Sequence, residues 1–326
     1  MNGTKLTAGQ INIKIFSNGS LAVFFCLLYA VLMLAYTLAP GDGGWMLYAD
    51  AILKGKRLYS DLHFNQQPLF PLFTTAIRFI AGDSILLQKL AYVVVPVLYL
   101  RLIYLITRYI SNEGVKRGLF IMAIFFIAIT FEAYRFDDYH PFSGILILAS
   151  LYLSIKLVYN KISLKQYIFL QAFCIAFLLN TRINDGAVLA LAVMGFGILR
   201  IGFRREIVQG LVFSLIVFGT ILTVELYLLN DSYQSWYVNS LESAVRIKGG
   251  GDLIFQPGIM FVKSVRFFLE GDFNYRSAIF IFFSLFVSYV LLKRAPNIVI
   301  KYAVAIFAFA AIYYSCLLYT SDAADE

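Results

Sequence analysis

The stretch PLFPLFTTAIRFIA (Pro68–Ala81) decides how this chain is threaded through a membrane. It is apolar, but it opens on proline and carries Arg78. A helix needs roughly 20 apolar residues to cross about 30 Å of hydrocarbon, and this stretch falls short of that length. We therefore predict a helix that lies at the membrane surface and does not cross it.

The composition predicts a helical membrane protein with many spans. The chain has 326 residues, of which 60% are hydrophobic and 14% are charged, and its mean hydropathy is +0.77. A soluble domain of this size cannot bury so much apolar surface. The net charge of +8 is attributed to basic cytoplasmic loops and not to nucleic-acid binding. The spacing of Cys26, Cys174 and Cys316 suggests neither a disulfide framework nor a metal site.

Apolar runs of about 17–25 residues predict an all-α polytopic fold with about nine transmembrane helices. The first run is interpreted as an uncleaved anchor, so that 1–20 is a cytoplasmic N-terminus and 21–315 is the transmembrane module. The predicted spans are Leu21–Leu38, Leu86–Ile106, Gly118–Phe131, Phe142–Val158, Tyr167–Leu179, Ala187–Leu199, Ile207–Leu229, Ala278–Leu292 and Ile298–Ser315.

The distribution of charge fixes the predicted orientation. With the N-terminus inside and Pro68–Ala81 at the surface, the cytoplasmic pieces hold 14 basic residues and only two acidic ones, Glu113 and Glu206. The opposite side holds 11 basic and 13 acidic residues. Treating Pro68–Ala81 as a span would invert every later loop and remove this bias, which membrane proteins normally show. The predicted external segments are 39–85, 132–140, 180–186 and 230–277.

Any chemistry is predicted to lie in these external segments. The cytoplasmic loops are short and basic, so they leave no room for a nucleotide-binding domain. The sequence contains no Walker-type glycine loop, no HExxH and no GxSxG motif. An ATP-driven pump is therefore not predicted from this chain alone.

The first external segment carries three aspartates, Asp42, Asp50 and Asp61, among aromatic residues and glycines. Within it, GGWMLYADAILKG has apolar residues at helical spacing and predicts a helix that stops at Gly55. Asp42 lies just before this helix, where it serves either as a helix N-cap or as a catalytic base. Asp61 is expected to cap or brace the second surface helix, a structural role.

Two further external segments place ionisable residues between apolar spans. Charged side chains cost about 2.5–3.5 kcal/mol each at the centre of a membrane helix, so they usually mark function there. Solvated loop acids at the interface are the alternative. The residues are Glu132, Arg135, Asp137, Asp138 and His140 in EAYRFDDYHP, and Arg182 and Asp185 in LLNTRINDGAV. Three acid-bearing segments on one face predict a polar site.

The last external segment is the longest. Ser232–Lys248 is predicted to form a surface helix that the glycines Gly249–Gly251 end, and Ile259–Leu269 is predicted to form another. Arg246 and Lys248 lie in the first of these. Contacts with an acceptor or with a carrier lipid are expected in this segment.

The pattern of the first external segment resembles the GT-C glycosyltransferases, and more narrowly the bacterial branch (glycosyltransferase family 39-like) related to protein O-mannosyltransferases and the lipid A aminoarabinose transferase. The resemblance covers roughly residues 20–200 and continues through YRFDDYHPF and NTRINDG. The residues that carry it are Asp42, Tyr48, Ala49, Gly55, Tyr59, Asp61, Pro68 and Leu69. This chain departs from the pattern at Gly43, where many relatives have Glu, and at Gln66-Gln67, which replaces Lys-Pro.

The resemblance implies an enzyme of the bacterial inner membrane whose active site faces the periplasm or exterior. Such enzymes take a sugar from a polyprenyl-phosphate carrier and transfer it to a lipid, glycan or protein acceptor. No nucleotide and no nucleic acid takes part, and the one cofactor left open is a divalent metal ion. Membrane lipids are the remaining partners.

The same resemblance assigns roles to residues. Asp42 is the candidate general base for the acceptor, and Asp137 or Asp138 orients the acceptor or holds the metal ion. Basic residues would stabilise the phosphate that leaves, although contact with lipid headgroups explains them equally well. The two histidines, His63 and His140, are expected to be loop hydrogen-bonding residues. The candidate substrate-binding residues are Tyr48, Asp50, Tyr59, Asp61, Gln67, Arg135, His140, Arg182, Asp185, Arg246 and Lys248.

Two other functions stay open from the sequence. An O-antigen polymerase or ligase is also a membrane glycan enzyme, and it would depend on a large late external loop. A carrier-lipid flippase or secondary transporter would also have many spans, usually with internal repeats. No repeat is visible at half-length, and the acids cluster on one face.

The C-terminal residues are expected not to be biological. The ending CLLYTSDAADE (Cys316–Glu326) shifts abruptly to small and acidic residues and looks like a translated transposase sequencing adapter. The gene is therefore expected to continue beyond residue 315, where the resemblance implies further spans and often an external domain.

Overall fold

The computed structural model describes residues 28, 44–92, 94–109, 139–202 and 205–242. This part of the chain is 80% helical and contains no strand, in agreement with the predicted all-α fold. Its helices are α1 (Gly44–Leu53), α2 (Leu69–Ala81), α3 (Ile85–Ala91), α4 (Val94–Thr107), α5 (Tyr139–Val158), α6 (Leu164–Thr181), α7 (Ile183–Ile201), α8 (Arg205–Leu228) and α9 (Tyr233–Trp236), and a π-helical stretch, Tyr237–Glu242, follows α9.

Three of these helices, α6, α7 and α8, are long and apolar enough to cross a membrane. The apolar parts of α4 and α5 are shorter. Helix α8 exposes much of its apolar surface, and Leu215 and Ile216 are each 60% exposed. Continuous exposed apolar surface of this kind fits contact with lipid. Apart from Leu28, the predicted spans Leu21–Leu38, Gly118–Phe131, Ala278–Leu292 and Ile298–Ser315 lie outside the described residues.

The predicted span Leu86–Ile106 is not one continuous helix. Helix α3 ends at Ala91, and α4 begins at Val94. Pro96 explains the break, because it has no N–H to donate to the carbonyl of Tyr92 and its ring would collide with that carbonyl in a continuous helix. The N–H of Val95 donates to the Tyr92 carbonyl instead, at 2.9 Å.

The predicted external segment 180–186 is not a loop. Helix α6 continues to Thr181, and α7 starts at Ile183, so Arg182 alone joins them in an extended conformation. The corner is tight at Gly186, where an added Cβ would lie 2.5 Å from Cγ of Leu179. Sequence reasoning missed this because the helices include Asn180, Thr181, Asn184 and Asp185, polar residues that lie outside the apolar runs used to find the spans.

The helices form a bundle in which α6 packs against α5, α7 and α8, and α4 packs against α5. Ser163 is the N-cap of helix α6, and its hydroxyl accepts a hydrogen bond from the backbone N–H of Gln166 in a capping box. Polar side chains also join α5 to α6, since Gln171 bonds to Ser150 and Ser154 inside the bundle. Interhelical hydrogen bonds of this type hold membrane helices in register.

The described parts of the predicted external segments lie at one end of the bundle, and those of the predicted cytoplasmic segments lie at the other. At one end a buried cluster, which we call the Tyr59 cluster, joins the α1–α2 connection to α8 and α9; its members are Leu58, Tyr59, Phe64, Leu222, Leu226, Leu229 and Trp236. At the other end, the rings of Tyr109 and Tyr159 lie 4.8 Å apart. Lys161 and Arg200 line one open cleft of about 550 Å³ there. We refer to these as the Tyr59 end and the Lys161 end.

Candidate functional site

The first external segment forms the helix and turn that its sequence predicts. Helix α1 ends at Leu53, and Gly55 follows with a φ of 81°, a conformation that favours glycine. Aromatic rings pack α1 against the chain that follows it. The ring of Trp45 lies 4.8 Å from that of Phe70, and Tyr48 lies 4.9 Å from Phe64. The candidate residue Tyr48 therefore lies at the edge of the Tyr59 cluster.

Asp50 is held in an ion pair between α1 and α2. Its carboxylate accepts a hydrogen bond from Nε of Arg78, which also donates to the carbonyl of Gly82 and to Asp83. The hydrogen bond from Arg78 holds the pKa of Asp50 below its ordinary value. Asp50 was predicted to bind substrate, and the structure gives it a clear role in fixing the angle between these two helices.

Asp61 is held within its own turn. It accepts from the backbone N–H of Arg57 at 2.9 Å and from the Arg57 guanidinium at 3.1 Å. The hydrogen bond from the backbone N–H of Arg57 contributes most to lowering the pKa of Asp61, and the hydrogen bond from the guanidinium adds to it. Asp61 does not cap the second surface helix, because α2 begins after Pro68 without a side-chain cap and the described hydrogen bonds of Asp61 go to Arg57.

Tyr59 and Gln67, both predicted to bind substrate, are buried contacts between segments. The hydroxyl of Tyr59 donates to the carbonyl of Gln66 at 2.8 Å. Gln67 accepts from the indole N–H of Trp236 at 3.2 Å and donates to Ser240 at 3.4 Å. The two hydrogen bonds of Gln67 join the first external segment to the last one, so the two segments lie on the same side of the bundle, as predicted.

Asp231 is the centre of this junction, and sequence reasoning missed it. Its carboxylate accepts from the backbone N–H groups of Tyr59, Ser60 and Ser232 and from the Ser60 hydroxyl, at 2.6 to 3.3 Å. Nearby, Asn239 donates to the carbonyl of Tyr59 at 3.0 Å. The sequence signal that could have found it is an acid two residues after the predicted span Ile207–Leu229 and directly before the helix cap Ser232.

Arg182 and Asp185 meet at the α6–α7 corner. The guanidinium Nη1 of Arg182 lies 3.9 Å from the carboxylate of Asp185, whose side chain is 1% exposed. Ile183, between them, packs against the Tyr59 cluster. This corner therefore lies at the same end as the first and last external segments, although its two predicted substrate-binding residues face each other.

Helix α5 also begins at this end. The ring of Phe142 lies 5.5 Å from that of Phe73 in α2. His140 is in the first turn of α5, and its side chain lies outside the part of the structure that is described. The predicted site residues Asp42, Arg135, Asp137, Asp138, Arg246 and Lys248 also lie outside the described residues.

Glu225, in the last turn of α8, is the second residue that sequence reasoning missed. It is 4% exposed, and neither carboxylate oxygen has a hydrogen-bond partner among the described residues. A single acid inside the apolar run Ile207–Leu229 was the indication that could have found it, because ionisable residues in membrane helices are rare and usually functional.

The described acids do not form a metal site by themselves. In the part of the chain that the structure covers, no three His, Cys, Asp or Glu side chains come together as ligands. The chain matches no family model, no curated protein and no solved structure. The geometry at the Tyr59 end, with buried acids, aromatic rings and membrane-length helices, therefore carries the functional argument.

Proposed function

We propose that this protein is a membrane glycosyltransferase of the GT-C type with about nine spans, placed in the bacterial inner membrane with its active site on the external side. It would move a sugar from a polyprenyl-phosphate carrier to a lipid, glycan or protein acceptor. One observation carries the proposal. Residues of several predicted external segments lie together at one end of a bundle whose helices are long enough to cross a membrane.

The location suits a substrate carried by lipid. The Tyr59 end adjoins the exposed apolar surface of α8, along which a polyprenyl chain can lie while its phosphate and sugar reach the polar end of the bundle. Aromatic side chains and carboxylates are both present there, and they supply apolar contacts and hydrogen-bond acceptors for a sugar.

Asp42 is the proposed general base. It lies two residues before α1 in sequence, and α1 packs at the Tyr59 end. Its carboxylate would take the proton of the acceptor hydroxyl or amine as the acceptor attacks the anomeric carbon, while polyprenyl phosphate leaves. Asp137 or Asp138 would orient the acceptor or hold a divalent metal ion. Asp50 and Asp61 have structural roles in this proposal, because Asp50 forms an ion pair with Arg78 and Asp61 forms one with Arg57.

The experiment compares Asp42→Asn with Asp50→Asn and Asp61→Asn in the full-length protein. Sugar transfer from a polyprenyl-phosphate donor is measured after checking expression and membrane insertion. We expect Asp42→Asn to lower the rate about 100- to 10,000-fold, as loss of a general base commonly does, and the two control variants to do less. Near-normal transfer by Asp42→Asn would show that Asp42 is only a helix cap.

A secondary transporter is the second candidate, and Glu225 is the observation that favours it. Buried carboxyl groups within membrane helices serve as proton or ion sites in transporters. The two functions differ in what reconstituted protein does, since a transferase makes a new glycosidic bond and a transporter moves its substrate across the vesicle without changing it.

A further inference from the structure

The buried carboxyl group of Glu225 has no role in the mechanism proposed above. It lies three residues before the end of α8, and both its oxygens lack a hydrogen-bond partner among the described residues. Burying an unpaired carboxyl group costs free energy that the rest of the fold must supply. Residues that break a folding rule in this way are expected at functional sites.

Glu225 lies beneath the first external segment. It belongs to the buried face of α8 together with Leu222, Leu226 and Leu229, which recur at helical spacing. These three leucines pack against Leu58, Tyr59 and Phe64 of the α1–α2 connection. The buried face of α8 that carries Glu225 is thus covered by the α1–α2 connection.

Aromatic side chains border the same region. Trp45 and Tyr48 of α1 are half-buried and pack against the Tyr59 cluster. Burial, followed by the charges of Glu225 and Asp231, raises the pKa of Tyr59 well above its ordinary value. Leu222, Leu226 and Leu229, which lie on the same face of α8 as Glu225, belong to the cluster that these aromatic rings border.

We propose that Glu225 binds the transferred sugar by accepting hydrogen bonds from its hydroxyl groups. A sugar offers hydroxyl donors at its edge and apolar C–H groups on its faces, so a carboxylate next to half-buried aromatic rings complements it. The assignment rests on the proposed function. The sugar reaches the carboxylate only when the covering segment moves aside, and the hydrogen bonds to Asp231 are the contacts that hold that segment in place.

The experiment separates sugar binding from a structural role. Full-length protein and the variants Glu225→Leu and Glu225→Gln are purified, and two quantities are measured for each. The first is the KM and kcat for polyprenyl-phosphate-linked pentoses and hexoses, and the second is the midpoint of thermal unfolding. Glu206→Gln is the matched control, because Glu206 is an exposed acid in the first turn of the same helix.

We expect Glu225→Leu to raise the donor KM about 10- to 100-fold, the range that loss of hydrogen bonds to a charged group gives. The unfolding midpoint should stay equal or rise, since an apolar side chain of similar size replaces an unpaired buried carboxyl group. Glu225→Gln should raise the KM less, because its amide oxygen still accepts a hydrogen bond. Glu206→Gln should change neither quantity.

Three results would overturn the assignment. A lower unfolding midpoint in Glu225→Leu would show that the carboxyl group is paired and structural. An unchanged donor KM, or a fall in kcat alone, would show that it does not bind the sugar. If the wild-type protein transfers no sugar from any donor, the proposed function itself fails and the sugar assignment fails with it, whereas an active wild type with a normal variant refutes this assignment alone.

Discussion

The carboxylate of Asp231 accepts a hydrogen bond of 2.6 Å from the backbone N–H of Tyr59, although 172 residues separate them in the sequence. It also accepts from the N–H and hydroxyl of Ser60. The side chain of Asp231, three residues after the end of α8, therefore supplies the acceptor for two backbone N–H groups of the segment that follows α1. The junction fixes how the first external segment sits over the bundle.

Replacement of Asp231 by alanine should loosen this junction. Hydrogen bonds to a charged group contribute about 1.5–3 kcal/mol, and the variant leaves the N–H groups of Tyr59 and Ser60 without their acceptor. We expect the free energy of unfolding to fall by roughly 2–3 kcal/mol, measured by thermal or denaturant unfolding in detergent. Asp83→Ala is the control, because the side chain of Asp83 is 99% exposed and its ion pair should contribute little. Equal effects from the two variants would contradict the role of Asp231.

The sequence predicted the local features of this region and missed its long-range contacts. Periodic apolar residues and Gly55 were enough to predict α1, and Pro68 marked the start of α2, because these features act over a few residues. The junction at Asp231 depends on segments that are distant in sequence, and no local pattern encodes their pairing. For the same reason Asp50 appeared to be a substrate contact, since Arg78 is 28 residues away and meets it only in the folded chain.

The spans, too, were predicted in part: their apolar centres were located from the sequence, and the ends of their helices were not. Hydropathy located α6, α7 and α8, but it did not detect that Arg182 alone joins α6 to α7, because Asn180, Thr181 and Asp185 look like a polar loop. In the structure, Asn180 and Thr181 bond to carbonyl groups one turn earlier, so they continue the helix. Glu225 was hidden by the opposite effect, since one acid hardly changes the mean hydropathy of a long apolar run.

The tight corner at Gly186 predicts opposite effects for two glycine substitutions in α7. Gly186→Ala places a methyl group 2.5 Å from Cγ of Leu179 and 2.6 Å from its backbone nitrogen, so α6 or α7 must shift. We expect a loss of about 1–3 kcal/mol in the free energy of unfolding. Gly195→Ala meets no atom within 4 Å and should stabilise the helix by about 0.4–1 kcal/mol. A neutral Gly186→Ala would contradict the close approach of the two helices.

The ion pair of Asp50 with Arg78 predicts a dependence of stability on pH. The pKa of Asp50 is lower in the folded protein than its ordinary value of 3.8, so the pair stabilises the folded state above about pH 4. That contribution is lost as the pH falls through the lowered pKa. Because Asp50 is partly exposed, we expect about 0.5–1 kcal/mol.

The measurement compares the unfolding midpoints of the wild type and Asp50→Asn between pH 7 and pH 3. Asp50→Asn should be less stable at pH 7, and the difference should shrink towards pH 3, where the wild-type carboxyl group takes up a proton. The two tryptophans, Trp45 and Trp236, both lie at the Tyr59 end, so their fluorescence reports on this region. A difference that stays constant over this range would mean that the pair does not stabilise the fold.

The separation of the two ends of the bundle predicts which positions face outward. Asn65 lies in the connection between α1 and α2 and Asn184 lies at the α6–α7 corner, and both are exposed. Lys161 is exposed at the opposite end, between α5 and α6. In a background where Cys26, Cys174 and Cys316 are replaced, Asn65→Cys and Asn184→Cys should react with an impermeant thiol reagent added to intact cells. Lys161→Cys should react only after the membrane is opened.

This outcome follows from charge and packing together. The segments that hold Asn65 and Asn184 both contact the Tyr59 cluster, so they must lie on one side of the membrane whatever its orientation. The basic residues near Lys161 predict that this end faces the cytoplasm, because positive charge in short loops is retained on the inner side. Labelling of Lys161→Cys in intact cells, with Asn65→Cys and Asn184→Cys protected, would invert the orientation and keep the fold. Labelling of Asn65→Cys but not of Asn184→Cys would instead refute the packing of the α6–α7 corner against the first external segment.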